Sequence, residues 1–582
     1  MDFIFYLIVQ AIAKGGNMLK KWWKEAVAYQ IYPRSFMDSN GDGIGDLAGI
    51  ISKLDYLKSL GIDLIWICPM YKSPNDDNGY DISDYQDIME DFGSMEDFDN
   101  LLKETHKRGM KLIIDLVINH TSDEHKWFIE SKSSKDNPKR DWYIWREGQE
   151  ENEPNNWESI FRGSAWEFDE KTKEYFLHLF TRRQPDLNWE NKDVRKALYD
   201  MINWWLDKGV DGFRVDAISH IKKAVGLPDM PNPKGLKYVS SFDNHMNVEG
   251  IHDFLDELKR ETFDKHEVVT VGEANGVSAD EAPLWASETK GKFNMLFQFE
   301  HLELWDYENN MGFDPKAYKK VLAKWQYALE NDGWNALFVE NHDIPRVVSR
   351  WGNDKEHREN CAKAFALSYF MQKGTPFIYQ GQEIGMTNVR YNSIDKYNDV
   401  KGINIYKEKV AHGMGEKDAM EYVYAISRDN ARTPMQWNDT KNAGFSDADS
   451  WMETNENYKK INVEAQLDDE NSILNFYKTL IKLKKSSDTL VYGKFKMLAE
   501  EHEDIFAYER ELNDEKYIVI TNLSNNEPKL PLEFMKFTDK KLIISNYDRE
   551  KEFINKEIYL KPWECRMYKI EKIVLEGRHC LS

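Results

Sequence analysis

The sequence predicts an α/β protein: a closed (β/α)8 TIM barrel with an inserted lobe after strand 3 and a C-terminal antiparallel β domain. Two observations carry this. Short apolar runs alternate with longer segments of helical period through most of the chain, and in the last part that alternation gives way to period-two runs separated by turn signals. Strands alternating with helices imply parallel strands joined by helical crossovers, and seven or eight repeats imply a closed barrel. A length of 582 residues, 41% of them hydrophobic, is enough to bury the large core that such a fold requires.

Residues 1–17 read as an N-terminal extension. The apolar stretch Phe3 to Ala13 is shorter than the about 20 residues that cross a bilayer, and Asp2 stands where a secretory signal would be basic. Met18, followed by Leu19-Lys20-Lys21, is read as the working start. The barrel is assigned to 18–120 and 190–486. Its strands are expected at Ala26 to Tyr32, Leu64 to Cys68, Leu112 to Ile118, Gly212 to Val215, Val268 to Val271, Asn335 to Val339 and Pro376 to Tyr379, each short and apolar, most of them rich in β-branched residues. Helices are expected at Gly45 to Leu60, Ser94 to Arg108, Lys192 to Lys208, Ile251 to Thr262, Pro315 to Asn331 and Glu356 to Gln372. Residues 121–189 are polar and tryptophan-rich and break the alternation, which makes them the inserted lobe over the active-site face. Residues 487–570, with Ile505 to Tyr508, Tyr517 to Thr521 and Lys541 to Ser545, read as the β domain. The tail 571–582 carries no signal.

Against 101 Asp and Glu stand 78 Lys and Arg, and the formal charge of −23 repels phosphate backbones and anionic lipid, so nucleic-acid and membrane partners are not expected. Cys68, Cys361, Cys565 and Cys580 are scattered and form no Cys-x-x-Cys knuckle, which fits reduced thiols in a cytoplasmic protein. A monomer is expected.

In such a barrel, polar residues at the C-terminal ends of the strands face the active site. Here those ends read Asp115-Leu-Val-Ile-Asn119-His120, Gly212-Phe-Arg214-Val-Asp216, Val271-Gly272-Glu273 and Glu340-Asn341-His342-Asp343. In their order and spacing these four segments resemble the main sequence regions of the alpha-amylase superfamily of glycoside hydrolases. Gln184-Pro185-Asp186-Leu187-Asn188 and Arg428-Asp-Asn-Ala-Arg432-Thr-Pro-Met-Gln-Trp437 are similar to segments of its oligo-1,6-glucosidase and exo-alpha-1,4-glucosidase branch. The resemblance covers about residues 18 to 570.

Retaining hydrolysis needs a carboxylate nucleophile and a protonated carboxyl about 5 Å apart. The resemblance assigns these to Asp216 and Glu273, with Asp343 as a third carboxylate that grips sugar hydroxyls and His120 and His342 bonding the same glucose. Arg214, two residues before Asp216 on one strand, points to the same side and is expected to keep that carboxylate ionised. Asp77 and Tyr80 resemble the closed pocket end of exo-acting members, with Arg432 expected as the partner of Asp77 and Arg428 as the runner-up.

Asp38-Ser-Asn40-Gly-Asp42-Gly43-Ile44-Gly-Asp46 matches the first nine positions of a calcium loop, although Gly49 replaces the usual glutamate at the twelfth. The resemblance implies structural Ca²⁺ held by Asp38, Asn40, Asp42, Asp46 and the Ile44 carbonyl, with Mg²⁺ as a lesser alternative. No organic cofactor is expected.

The expected activity is exo-acting, retaining release of glucose from short alpha-gluco-oligosaccharides. Because Ala217 follows the nucleophile, where a small residue accompanies alpha-1,4 activity in this branch, maltose-type substrates are slightly favoured. The alternatives are an oligo-1,6-glucosidase and, less so, a sucrose isomerase or glucosyltransferase. The segment Phe299 to Asp306 lacks the Arg-x-Asp-Arg element that the resemblance attaches to isomerases.

Overall fold

The computed structural model describes residues 20–149, 152–305, 312–531, 540–548 and 557–570. The expected extension 1–17 and tail 571–582 lie outside the described residues. Eight strands, β1 (Ala28–Ile31), β2 (Leu64–Ile67), β3 (Lys111–Val117), β4 (Gly212–Asp216), β5 (Val269–Glu273), β6 (Met295–Phe297), β7 (Ala336–Leu337) and β8 (Thr375–Tyr379), form one sheet in the order β6-β5-β4-β3-β2-β1-β8-β7. A parallel bridge between Leu296 and Asn335 joins its two edges, so the sheet is the expected barrel. Strands such as Leu64–Ile67 are buried at every position, as befits a parallel strand covered on both faces.

Helix ends follow local chemistry. Ser94 and Asp97 form a reciprocal capping box at the start of Met95–Lys107. Asn191 caps Lys192–Lys208, and Gly209, in the left-handed region, ends it. The helix expected over Gly45 to Leu60 divides at Lys53 into Leu47–Ser52 and Leu54–Leu60, because Lys53 leaves helical geometry with ψ 3°. Strand β6 and the helices Val400–Ala411, Glu416–Ile426 and Ile473–Lys485 have no counterpart in the sequence reading.

After β3 a small antiparallel sheet is built from Trp145–Arg146, Glu174–Leu177 and Trp166–Asp169, with Glu174–Leu177 in the middle. Trp157, Trp166, Leu177 and Leu179 form its own core. The lobe is tied to the barrel by pairing of Trp157–Glu158 with Val239–Ser240, in the long connection after β4. At the C-terminal end, Lys494–Leu498, Ile505–Leu512, Glu515–Asn522, Cys565–Ile570 and Lys540–Ser545 make a five-stranded antiparallel sheet.

Candidate active site

The register of β3 and β4 sets Arg214 directly beside Asp115. The Arg214 guanidinium lies 2.7 Å from Asp115 Oδ1, 2.5 Å from Asp216 Oδ1 and 2.9 Å from Glu273 Oε2. One cation therefore faces three carboxylates, and the excess negative charge makes the cluster hold on to a proton. Burial pushes the Asp216 carboxyl up, the Arg214 charge pulls it down, and the Glu273 and Asp115 carboxylates push it up again; the net direction is upward. Glu273 Oε2 also accepts a hydrogen bond from Ala217 N at 2.7 Å. Ala217 is left-handed, φ 44° and ψ 31°, so the chain turns sharply right after Asp216 and presents that amide to the second carboxyl.

The loop after β7 supplies the opposite wall. Asp343 is 3.0 Å from His342 Nε2, 2.7 Å from Arg432 Nη2 and 3.5 Å from Arg428 Nη1. Burial raises its carboxyl, but these three cations outweigh it and hold it well below the usual range. For His342 burial acts downward, and the Asp343 charge overrides it, pushing the imidazole up to about 10. The Tyr80 ring lies flat on His342, 8° from parallel at 5.3 Å, and its Oη is 2.7 Å from Nε2. His120 Nε2 lies 3.1 Å from Gln184 Nε2, and burial pushes this histidine down to about 4, so it is neutral near pH 7.

Asp77 is buried at the far end, and here the structure corrects the sequence expectation. Its partner is Arg428, with Nη2 at 3.1 Å, while the fully buried Arg432 reaches Asp343 and the His342 carbonyl instead. Arg428 is itself held by Asp399, which accepts from its backbone N at 2.9 Å and its Nε at 2.7 Å. That geometry leaves the two terminal nitrogens of Arg428 free to face Asp77 and Asp343.

Asp77, Tyr80, His120, Asp216, Glu273 and Asp343 line one pocket of about 200 Å³. At about 30 Å³ per liquid water, this is space for six or seven waters, on the scale of a single hexose. Arg214, His342 and Arg432 stand behind this lining. Ala217 and Arg428 also line the pocket, and Ile160, Phe161, Phe180, His220, Asn275 and Lys401, which were not found from sequence, complete the wall. The aromatic character of the inserted lobe was the only signal for Phe161 and Phe180.

Residues 30–493 match the alpha amylase catalytic domain, and residues 505–566 match the alpha-amylase SusG C-terminal domain. The chain belongs to the alpha-amylase family. It is a glycoside hydrolase. This alpha-amylase-family chain is 57% identical to the probable oligo-1,6-glucosidase 3 of Bacillus subtilis (strain 168) and 54% identical to the oligo-1,6-glucosidase of Parageobacillus thermoglucosidasius, in each case over 95% of the chain and 100% of the relative. It is also similar to a mutant of the isomaltulose synthase from Erwinia rhapontici NX5, solved in complex with sucrose, with a TM-score of 0.90 and 42% identity over 96% of this chain and 100% of that one.

The loop from Asp38 to Asp46 in this family member offers only oxygen donors, the chemistry calcium takes. Burial raises the Asp38 carboxyl, but four hydrogen bonds, from the amides of Asn40, Gly41 and Gly43 and from Ser446 Oγ, bring it below the usual range. Asp46 accepts from Ser39 and caps Leu47–Ser52 through Gly49 N. Asn40 and Asp42 are exposed and bonded to each other. Gly43 is required, since at φ 91° a Cβ would stand 2.1 Å from the Asp449 carbonyl. Among the described residues no three His, Cys, Asp or Glu side chains converge as a metal cluster.

Proposed function

We propose that this chain is an exo-acting, retaining alpha-glucosidase that frees glucose from the non-reducing ends of short alpha-1,6-linked gluco-oligosaccharides. The observation that carries exo action is the buried Asp77–Arg428 pair, which walls off one end of a pocket of single-hexose size. A chain can enter such a pocket only by its terminal unit. Retention is supported by the single guanidinium that touches both Asp216 and Glu273, an arrangement suited to the close spacing of about 5 Å rather than the wider gap of inverting enzymes.

Asp216 attacks the anomeric carbon while Glu273 gives its proton to the leaving oxygen. A covalent glucosyl intermediate forms, and Glu273 then takes a proton from the water that hydrolyses it. Asp343, kept ionised by three cations, holds ring hydroxyls and favours the positive charge that develops in the transition state.

The alpha-1,6 linkage rests on the names of the relatives. A maltose-type preference is the second reading, carried by the small Ala217 at the pocket wall beside Asp216. Sucrose isomerisation has the likeness to isomaltulose synthase in its favour and the absence of an Arg-x-Asp-Arg element against it; Asp306, at the end of that segment, lies outside the described residues. The Asp38 to Asp46 loop, with the Ile44 carbonyl, would hold calcium, which would stiffen the entry to Leu47–Ser52 and take no part in the reaction. Action by a monomer in the cytoplasm is part of the proposal; the free, buried Cys68, Cys361 and Cys565 support the location.

The test is glucose release from isomaltose, maltose, sucrose and trehalose, measured side by side with the purified protein. Isomaltose should lead. Good maltose turnover with poor isomaltose turnover would replace the linkage by alpha-1,4, and isomaltulose formed from sucrose without net glucose release would replace hydrolysis.

A further inference from the structure

His220 lines the same pocket as Asp216 and Ala217, and a chain of hydrogen bonds runs behind its ring. The chain begins in the inserted lobe. Ser241 Oγ donates its single proton to the Glu158 carbonyl at 3.2 Å. Its oxygen is therefore the acceptor for His245 Nε2, 3.1 Å away, which must carry hydrogen. In a neutral imidazole the other nitrogen is then bare, so His245 Nδ1 accepts. The atom facing it at 3.0 Å is His220 Nδ1, which must donate. That leaves His220 Nε2 unprotonated on the ring edge turned away from His245.

We infer that His245, Ser241 and the Glu158 carbonyl act as a positioning relay that fixes His220 as a hydrogen-bond acceptor for a hydroxyl of the leaving sugar. The tautomer of a histidine is set by the bond its second nitrogen makes, and here that bond is made three groups deep. All three side chains are buried, His220 at 2% exposure, His245 at 1% and Ser241 at 1%, so water does not compete for these bonds. Burial also pushes His220 down to about 3 and holds His245 well below its usual value, which keeps both rings neutral and the acceptor in place through the working range. The relay crosses the junction where Val239–Ser240 pairs with Trp157–Glu158, so the contact on the leaving sugar depends on the lobe being docked. The inference rests on the glucosidase reading of the pocket and assigns its leaving-group side.

The experiment compares isomaltose with p-nitrophenyl alpha-glucoside, whose aryl leaving group has no hydroxyl to offer. His245→Leu removes the acceptor for His220 Nδ1 and should lower kcat/KM on isomaltose about tenfold, the value of roughly one hydrogen bond, while aryl glucoside turnover changes little. His245→Asn places a carbonyl oxygen near the lost nitrogen and should restore most of the isomaltose activity. Nitrogen spectra of histidine-labelled protein should show His220 Nε2 in the unprotonated range in the wild type and lose that signature in His245→Leu. Equal losses on both substrates, or a protonated His220 Nε2 in the wild type, would overturn the relay. Turnover of neither substrate by the wild type would instead overturn the glucosidase reading, and the nitrogen spectra would still decide the tautomer.

Discussion

Arg214 holds Asp216 from two residues away on the same strand, its Nη1 2.5 Å from the carboxylate oxygen. The strand pleat puts both side chains on one side, so the proposed nucleophile is oriented by its own strand rather than by a loop. Position is thereby set by the strand, and the Arg214 charge offsets part of the upward push that burial and the Glu273 and Asp115 carboxylates exert on Asp216.

Asp216→Asn keeps the volume and removes the proposed nucleophile. Turnover should fall by several orders of magnitude, the scale on which loss of a covalent catalyst is felt, while the melting temperature stays close to that of the wild type. Turnover at the wild-type level would end the assignment of Asp216.

Arg428→Gln leaves Asp77 and Asp399 buried without their shared cation. Removing one partner of a buried pair costs about 3–5 kcal/mol, so urea unfolding should move to clearly lower concentration and the pocket end should loosen, with a rise in KM. An unchanged midpoint and KM would show that the Asp77–Arg428 contact has no such role.

The His342–Asp343 pair makes stability depend on pH. His342 has its folded value raised to about 10, against an ordinary unfolded value of about 6.5. A raised value means the contribution is fully present below about pH 6.5 and is lost as the pH climbs through about 10. Melting temperatures recorded from pH 6 to 10 should fall more steeply in the wild type than in His342→Gln. Parallel curves would refute the charged pair.

Chelation should lower the melting temperature more than it lowers activity at low temperature, because the Asp38 to Asp46 loop lies outside the reacting carboxylates and a ligand bound only by the folded state stabilises it by mass action. Unchanged melting after thorough chelation, with no metal in the protein, removes calcium from the proposal.

Ala217→Val adds two methyl groups beside Asp216. Discrimination of about 1–3 kcal/mol is what such groups provide, and the isomaltose to maltose ratio should rise. A ratio that does not move would show that other pocket residues fix the linkage.

The barrel was legible because its strands are apolar runs between clear helices, and the strand-end carboxylates because four polar ends recur at one position in the repeat. Strand β6 escaped notice because Met295-Leu296-Phe297 is three residues long and contains no β-branched side chain. Arg428 and Arg432 sit one helical turn apart, so sequence alone offers both to Asp77, and only the packing of Asp399 against Arg428 decides between them. Asp399 itself looks like any aspartate before a helix, which it also is. Lys401 lies on a helix with a weak apolar stripe, where periodicity gives little warning.

The contact between Asp77 and Arg428 joins residues 351 positions apart. A ribosome that has released the whole inserted lobe and even β8 has still not released the cation that closes the sugar pocket. The nascent chain thus holds Asp216, Glu273 and Asp343 before the far end of the pocket can close, and the pocket is completed late in synthesis, when the segment around Arg428 folds back onto the first quarter of the protein.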